Sequence, residues 1–495
     1  MKKVKTMALK KTKSQKIQAW NTKDIVNNIV VYVLNILVIS LLFVGAIYLN
    51  DITGGMDFNV YFSKATNFLQ FFILLLLMVG LIGIYFFFED RDFLKKATNS
   101  EMIFLIIEIS LVISHVSGSY ISPYIRPLAL ATLLTLFLTD RRKAVFINII
   151  YCLLTFLFDS LSATETLIGQ YPSLIMGFAS GMIAVFCMDK VFSRIRLLGM
   201  SLIISVPAVI CIAMTVMNNP HIPTLSALLS GAGSGPFAVA AFMVLLPIFE
   251  TMFTKISNFK LSELTEHKSK LIRKLLQQAP GTFNHSIVVS NISEACATAI
   301  GEDALLARTC AYYHDIGKLR RPEFFKENQA DGVNPHDDLT PELSTNILKS
   351  HALDGYNLVI KNRLPKEIAD VCLQHHGTMP ILYFYAKAKK FTDGEVDILQ
   401  YCYNGPKPQT KIAAIIMIAD GCEAAVRTLQ DRSREKVDEL VRKIVNDRMK
   451  LGQFEECEIT LKELNIIIHT VVNNLTGIYH SRIEYPKVVI DGTEE

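Results

Sequence analysis

The chain has 495 residues, 51% of them apolar and concentrated before residue 253, which is too apolar for one ordinary soluble domain and long enough for two or three domains. A formal net charge of +4 gives no reason to invoke a nucleic-acid polymer as partner. None of the nine cysteines forms a C-x-x-C pair, which argues against a zinc or disulfide framework and for reduced thiols in a cytosolic setting.

After a basic segment at residues 1–24, apolar runs of bilayer-spanning length occur near 25–50, 65–88, 101–118, 121–139, 144–163, 167–188, 197–217 and 222–250. The first run is long and has no small-residue cleavage site after it, so it reads as a span and not as a signal peptide. The fourth contains Arg126 and is the weakest of the eight. Lys and Arg crowd the N-terminal segment and the loops "EDRDFLKK", "DRRK" and "DKVFSRIR", and they are nearly missing from the alternate loops. The positive-inside rule then places the N-terminus, and everything after the last span, in the cytoplasm. Glu108 lies within a span, either as a functional carboxyl or as one hydrogen-bonded to a neighbouring helix. "SGAGSGP" at 230–236 lacks the G-K-[ST] ending of a phosphate loop and reads as close helix packing.

Residues 254–280 are polar, with leucines at amphipathic-helix spacing, and predict a linker helix stopped by Pro280 and Gly281. Residues 281–485 show helical patterning almost throughout and predict an all-α domain, with a tail at 486–495. Gly317 is expected to end the helix that carries "AYYHDIG".

The chemistry of this second half lies in five of the chain's 11 histidines, His285, His314, His351, His375 and His376, with Asp315 and Asp420. One histidine on an apolar face is usually a hydrogen-bonded core residue. Five near helix ends, beside two carboxylates, would be costly to bury without a partner that a metal supplies. Seven ligands exceed the need of one ion and suit two, sharing a carboxylate; imidazole and carboxylate without thiolate favour Fe or Mn. Such a pair suits phosphodiester hydrolysis without a Ser or Cys nucleophile. Lys318 follows the ligands and is the best candidate for holding a phosphate, the alternative being a solvated cation at a helix end. Arg320 and Arg321 read as surface residues, and His336–Asp337 as a turn.

The stretches "APGTFNHS", "LLARTCAYYHDIGKLRRPEFFKENQ", "NPHDDLTPELS", "LPKEIADVCLQHHGT", "YFYAKAK" and "GPKPQTKIAAIIMIADGCEAAVRTL" resemble the HD-domain phosphohydrolases, and within them the membrane-bound seven-transmembrane HD receptors of the PgpH type. The resemblance covers nearly all of 278–430, and "SPYIRPLALATLL" extends it into the membrane half. It implies a polytopic helical bundle followed by a cytosolic HD domain in a bacterial cell membrane. It also implies a cyclic di-AMP phosphodiesterase that yields the linear dinucleotide pApA and needs two divalent ions; a homodimer is expected separately, since the amphipathic linker helix could pair with a copy of itself. One ion would take His285, His314, Asp315 and Asp420, and the other Asp315, His351, His375 and His376, with Asp315 bridging. Two features depart from the family: only residues 51–64 stand where it usually has a large extracytoplasmic domain, and Asn404 replaces a more usual Pro. The competing expectations are a nucleotide receptor with little turnover, a transporter with a regulatory domain, and an enzyme for cyclic di-GMP. The "GYP" hallmark of the last is missing, its nearest counterpart being Gly355–Tyr356–Asn357.

Overall fold

The computed structural model describes residues 22–52, 65–162, 170–188, 194–218, 224–266, 269–329, 334–391 and 395–478. Most of the basic N-terminal segment, most of the loop at 51–64 and the tail at 486–495 lie outside them. The chain divides into two compact units, Met1–Ser257 and Asn258–Glu495. Both are all-α: among the described residues there is no strand, only an isolated bridge between Pro380 and Cys402.

The first unit contains α1 (Thr22–Ile52), α2 (Ala65–Glu89), α3 (Ala97–Tyr120), α4 (Leu130–Leu138), α5 (Arg141–Ser162), α6 (Gln170–Met188), α7 (Arg194–Asn218) and α8 (Thr224–Phe253). Six of these, α1, α2, α3, α5, α7 and α8, are long and apolar enough to cross a membrane. The expected fourth span is corrected: residues 121–129 are not helical, and α4 has nine residues. The cause is local. Pro123 and Pro127 supply no backbone N–H and push Ser122 and Arg126 out of helical conformation. The Arg126 guanidinium instead donates to Asp159 at 2.6 Å, and the same carboxylate accepts from the Ser173 hydroxyl at 3.1 Å.

The small residues of "SGAGSGP" lie within α8, where they let α7 come close. The backbone N–H of Gly235 donates to Ser205 Oγ at 3.0 Å, that hydroxyl donates to the Ala232 carbonyl at 2.8 Å, and a side chain at Gly235 would collide with the Ser201 carbonyl. Glu108 is buried on α3, and its Oε1 has no hydrogen-bond partner among the described residues.

The second unit contains α9 (Asn258–Leu264), α10 (Lys270–Gln278), α11 (Pro280–Ile300), α12 (Ala304–Tyr313), α13 (Pro341–Lys361), α14 (Lys366–Gln374), α15 (Leu382–Phe391), α16 (Lys411–Arg427), α17 (Arg434–Lys450) and α18 (Leu461–Ile478). The expected single linker helix is two helices, and both are built into this unit. Leu264, Leu271, Ile272 and Leu275 join a core that includes Phe283, Tyr313, Ile415 and Val471. Their apolar spacing, which read as a free amphipathic helix, is the buried face of α9 and α10. Tyr313 ties them down: its hydroxyl donates to the Leu264 carbonyl at 2.8 Å and lies 2.8 Å from Ser269 Oγ. Pro280 opens α11 at a position that needs no N–H donor, and Gly301 closes it with φ of 79°.

Candidate metal centre

Each of the seven expected ligands sits at or near the end of an apolar helix, or on its inward face. His285 is in the second turn of α11, His314 and Asp315 follow α12, His351 is midway along α13, His375 and His376 follow α14, and Asp420 is on α16. The structure brings all seven together in two adjoining groups with metal-ligand spacing: Asp315, His351, His375 and His376, and His285, His314 and Asp420. Asp315 lies between them. Its Oδ1 is 3.3 Å from His351 Nε2 and 3.7 Å from His375 Nε2, while its Oδ2 is 3.2 Å from His314 Nε2 and 3.7 Å from His285 Nε2.

Four of the imidazoles have their outer nitrogen assigned. Nδ1 of His314 donates to the Ala311 carbonyl at 2.7 Å, that of His351 to Leu348 at 2.6 Å and that of His375 to Cys372 at 2.9 Å. Nδ1 of His285 donates to Glu423 Oε2 at 2.6 Å. On His314, His351 and His375 these bonds place the proton on Nδ1 and leave the inward Nε2 as a lone pair; on His285 the Nδ1 proton goes to Glu423, and Nε2 becomes a lone pair only when it gives up the proton it shares with Asp420. Burial pushes His375 down to about 3, and it also lowers His351 and His376, so these rings are neutral at physiological pH. Burial would raise both carboxyls. The Lys318 ammonium nevertheless holds Asp315 well below the usual carboxylate range, and the hydrogen bond from His285 does the same for Asp420.

The residues fit a cation. The Nε2 atoms of His351 and His375 are 3.3 Å apart. With both Nδ1 protons committed to carbonyls, two lone pairs face each other and repel unless a positive charge relieves them. His314 Nε2 and Asp315 Oδ1 are buried with no hydrogen-bond partner. Orphaned buried polar atoms are rare in native folds, and two here, among convergent donors, mark a site built for an ion.

Lys318 is largely buried, its ammonium 2.7 Å from both Asp315 Oδ2 and Glu327 Oε1 and 4.9 Å from the Phe325 ring centre. Two of its three N–H donors are thus used and one is spare. Arg320 pairs with Asp354 at 2.7 Å on the surface. His336 is outside the centre: its Nε2 meets the Phe324 carbonyl at 3.0 Å.

Sequence reasoning missed Glu423, Glu327 and Tyr403. Glu423 had a signal, since it follows Asp420 by three positions on α16 and so shares its face. Replacing Glu423 with Ala is expected to lower metal affinity about 10- to 100-fold, because His285 loses the group that fixes its tautomer; a metal titration measures it, and unchanged affinity would exclude that role.

The same pairing predicts a pH dependence. Burial alone would lower His285, but Asp420 and Glu423 raise it to about 10 without metal. The folded metal-free protein therefore keeps a second proton on this ring from its ordinary value near 6.5 up to about 10. A metal must displace that proton from Nε2, so affinity should rise with pH, by about tenfold per unit for one displaced proton. Titrations at pH 6, 7 and 8 test the sign, and affinity that falls with pH would contradict it.

Residues 282–425 match the HD domain family model, and residues 65–257 match the family described as 7TM receptor with intracellular HD hydrolase. The cyclic-di-AMP phosphodiesterase PgpH of Bacillus subtilis (strain 168) is 38% identical over 429 residues, covering 83% of this chain and 60% of that protein. The protein of the same name from Listeria monocytogenes serotype 1/2a (strain 10403S) is 45% identical over 274 residues, covering 55% of this chain and 38% of that one. The chain thus spans less than two thirds of the length of these relatives. A crystal structure of the L. monocytogenes PgpH HD domain in complex with cyclic-di-AMP is 50% identical and covers 43% of this chain and 99% of its own, with a TM-score of 0.41.

Proposed function

We infer the function from one premise: the chain belongs to the family of seven-transmembrane receptors with an intracellular HD hydrolase. On that basis it is a membrane-anchored, metal-dependent phosphodiesterase that opens cyclic di-AMP to the linear dinucleotide pApA. The activity and substrate named for the two PgpH relatives support the substrate class. The observation that carries the reaction type is the pair of adjoining ligand groups placed around one carboxylate, Asp315.

His285, His314, Asp315 and Asp420 would hold one divalent ion, Mn or Fe, and Asp315, His351, His375 and His376 a second. When bound, such ions supply an acidified water and Lewis-acid stabilisation of phosphate oxygens. The chain's own residues do the rest. Backbone carbonyls and Glu423 hold the outer imidazole protons, so the ring lone pairs stay aimed inward. Lys318 neutralises the buried Asp315 and keeps one N–H for a phosphate oxygen. Glu327 holds that ammonium in place and is itself anchored by the Thr282 hydroxyl at 3.1 Å.

The decisive experiment incubates the purified full-length protein with cyclic di-AMP, or with cyclic di-GMP, in the presence of Mn or Fe, and identifies the products. Release of pApA supports the reading. Binding of cyclic di-AMP without cleavage would make the protein a receptor, and preference for cyclic di-GMP would move its substrate.

The proposed topology has the N-terminus and the HD domain cytoplasmic. Among the described residues, seven helices of nine residues or more lie between 65 and 257, in keeping with the family's description, and α1 precedes them. A reporter after Thr251 is expected to be cytoplasmic and one near Gly54 external; both on one side would reject this arrangement. Dimerisation through the chain's membrane half or its HD domain is part of the same proposal, and the mass of the purified protein in detergent tests it.

A further inference from the structure

Of the five histidines in the centre, His376 alone lacks a partner that fixes its ring. His285 has Glu423, and His314, His351 and His375 have backbone carbonyls. The His376 ring makes no hydrogen bond among the described residues; its Nδ1 is 3.7 Å from Asp420 Oδ2. Its side chain is also the most exposed of the five, at 24% against 5% or less for the others, so it faces the open side of the centre.

An aromatic ring takes the place of the missing partner. Tyr403 stacks on His376 with ring centres 4.2 Å apart and planes 24° apart, and it meets His351 edge-on at 6.0 Å. The placement is built by the backbone. The segment that leaves His376 pairs with the one that delivers Tyr403, with Ile381 N–H donating to the Tyr401 carbonyl at 2.8 Å and Tyr403 N–H donating to the Met379 carbonyl at 3.0 Å.

The hydroxyl of Tyr403 is unused. It makes no hydrogen bond among the described residues, whereas the more deeply buried tyrosines nearby are committed, Tyr313 to Leu264 and Tyr401 to Glu342. It lies within electrostatic reach of Lys318, Asp315, Asp420 and Glu327, the charged groups of the centre. A phenol there is a neutral donor on the open side of a cluster otherwise made of acceptors and one lysine.

We propose that Tyr403 is a substrate-binding residue of this centre, its ring holding His376 in ligating orientation and its hydroxyl donating a hydrogen bond to a phosphate oxygen of the diester. This rests on the phosphodiesterase reading above and adds to it the donor that complements Lys318. The ring and the hydroxyl have separable consequences, which two substitutions resolve.

In the full-length protein, Tyr403→Phe keeps the ring and removes the donor. It should bind Mn(II) as tightly as the unaltered protein and lose about 10- to 100-fold in kcat/KM for cyclic di-AMP, the usual size for a hydrogen bond to a charged group. Tyr403→Leu removes both and should also weaken Mn(II) binding, with circular dichroism reporting an intact fold. Unaltered kcat/KM in Tyr403→Phe, or loss of Mn(II) in that variant, would overturn the role given to the hydroxyl. Unaltered Mn(II) affinity in Tyr403→Leu would overturn the role given to the ring. Should the unaltered protein cleave no cyclic dinucleotide, the phosphodiesterase reading and the hydroxyl role built on it both fail, while the Mn(II) titration of Tyr403→Leu still decides the role of the ring.

Discussion

Replacing Asp315 with Ala is expected to release metal from both ligand groups and to lower turnover by about a thousandfold or more, the scale seen when a central catalytic group is removed. Asp315 meets two imidazoles of each group, one carboxylate oxygen directed at His351 and His375 and the other at His314 and His285, whereas Asp420 meets the second group only at His376, 3.7 Å away. The loss extends to Lys318, whose ammonium is 2.7 Å from the same carboxylate and would be left with Glu327 alone. Asp315→Asn separates shape from charge, since it fills the same space but cannot supply two anionic oxygens. It should keep the fold and still lose most of the activity. Metal content and turnover are the measurements. A variant at position 315 that keeps both ions and near-normal turnover would reject the shared-carboxylate arrangement.

The ligand positions were legible because each is a polar residue in a place where its neighbours are apolar. His314–Asp315 follow "ALLARTCAYY", and Asp420 interrupts "IAAIIMIAD", so helical periodicity puts them against the core. Glu423 and Glu327 were harder to read. Glu423 meets His285 only through packing across the domain, 138 positions away in the chain, and Glu327, nine positions after Lys318 in a polar stretch, reads as surface. Tyr403 depends on a backbone pairing of four residues around Pro380 and Cys402, too short for any alternating pattern to show. The membrane half shows the converse. Composition found the spans, yet between 121 and 129 two prolines and the Arg126–Asp159 pair replace helix with irregular chain, a local effect that an apolar count smooths over. In residues 258–278 the amphipathic spacing was read correctly as helix but taken for a linker: the apolar face is covered by the unit's own core.

Gly317 gives the sharpest case of a residue read for the wrong reason, and Gly317→Ala is expected to damage both stability and the centre. A glycine after "AYYHDI" looks like a helix stop in left-handed conformation. Among the described glycines, however, only Gly301, Gly377 and Gly452 have positive φ, and Gly317 sits inside a short 3-10 turn, Ile316–Arg320. Its smallness serves packing. A side chain there would run into the carbonyl of His351 and the backbone N of Gly355, so the turn that follows Asp315 lies directly on α13. Gly355 has little room either, a side chain there coming within 3.2 Å of Cys372 Cβ and 3.3 Å of Gly317 N. Backbone cannot give way as a flexible side chain can, so the added methyl should cost about 1–3 kcal/mol or more. That corresponds to a fall in Tm of several degrees for a domain of this size. The displaced peptide belongs to His351 itself, which would shift relative to Asp315, now 3.3 Å away, and weaken metal binding in the group they share. Gly477→Ala near the end of α18 is the control, since a side chain there meets nothing within 4 Å. If Gly317→Ala matches that control in Tm and in metal affinity, the packing of this turn against α13 is not what holds Asp315 and His351 together.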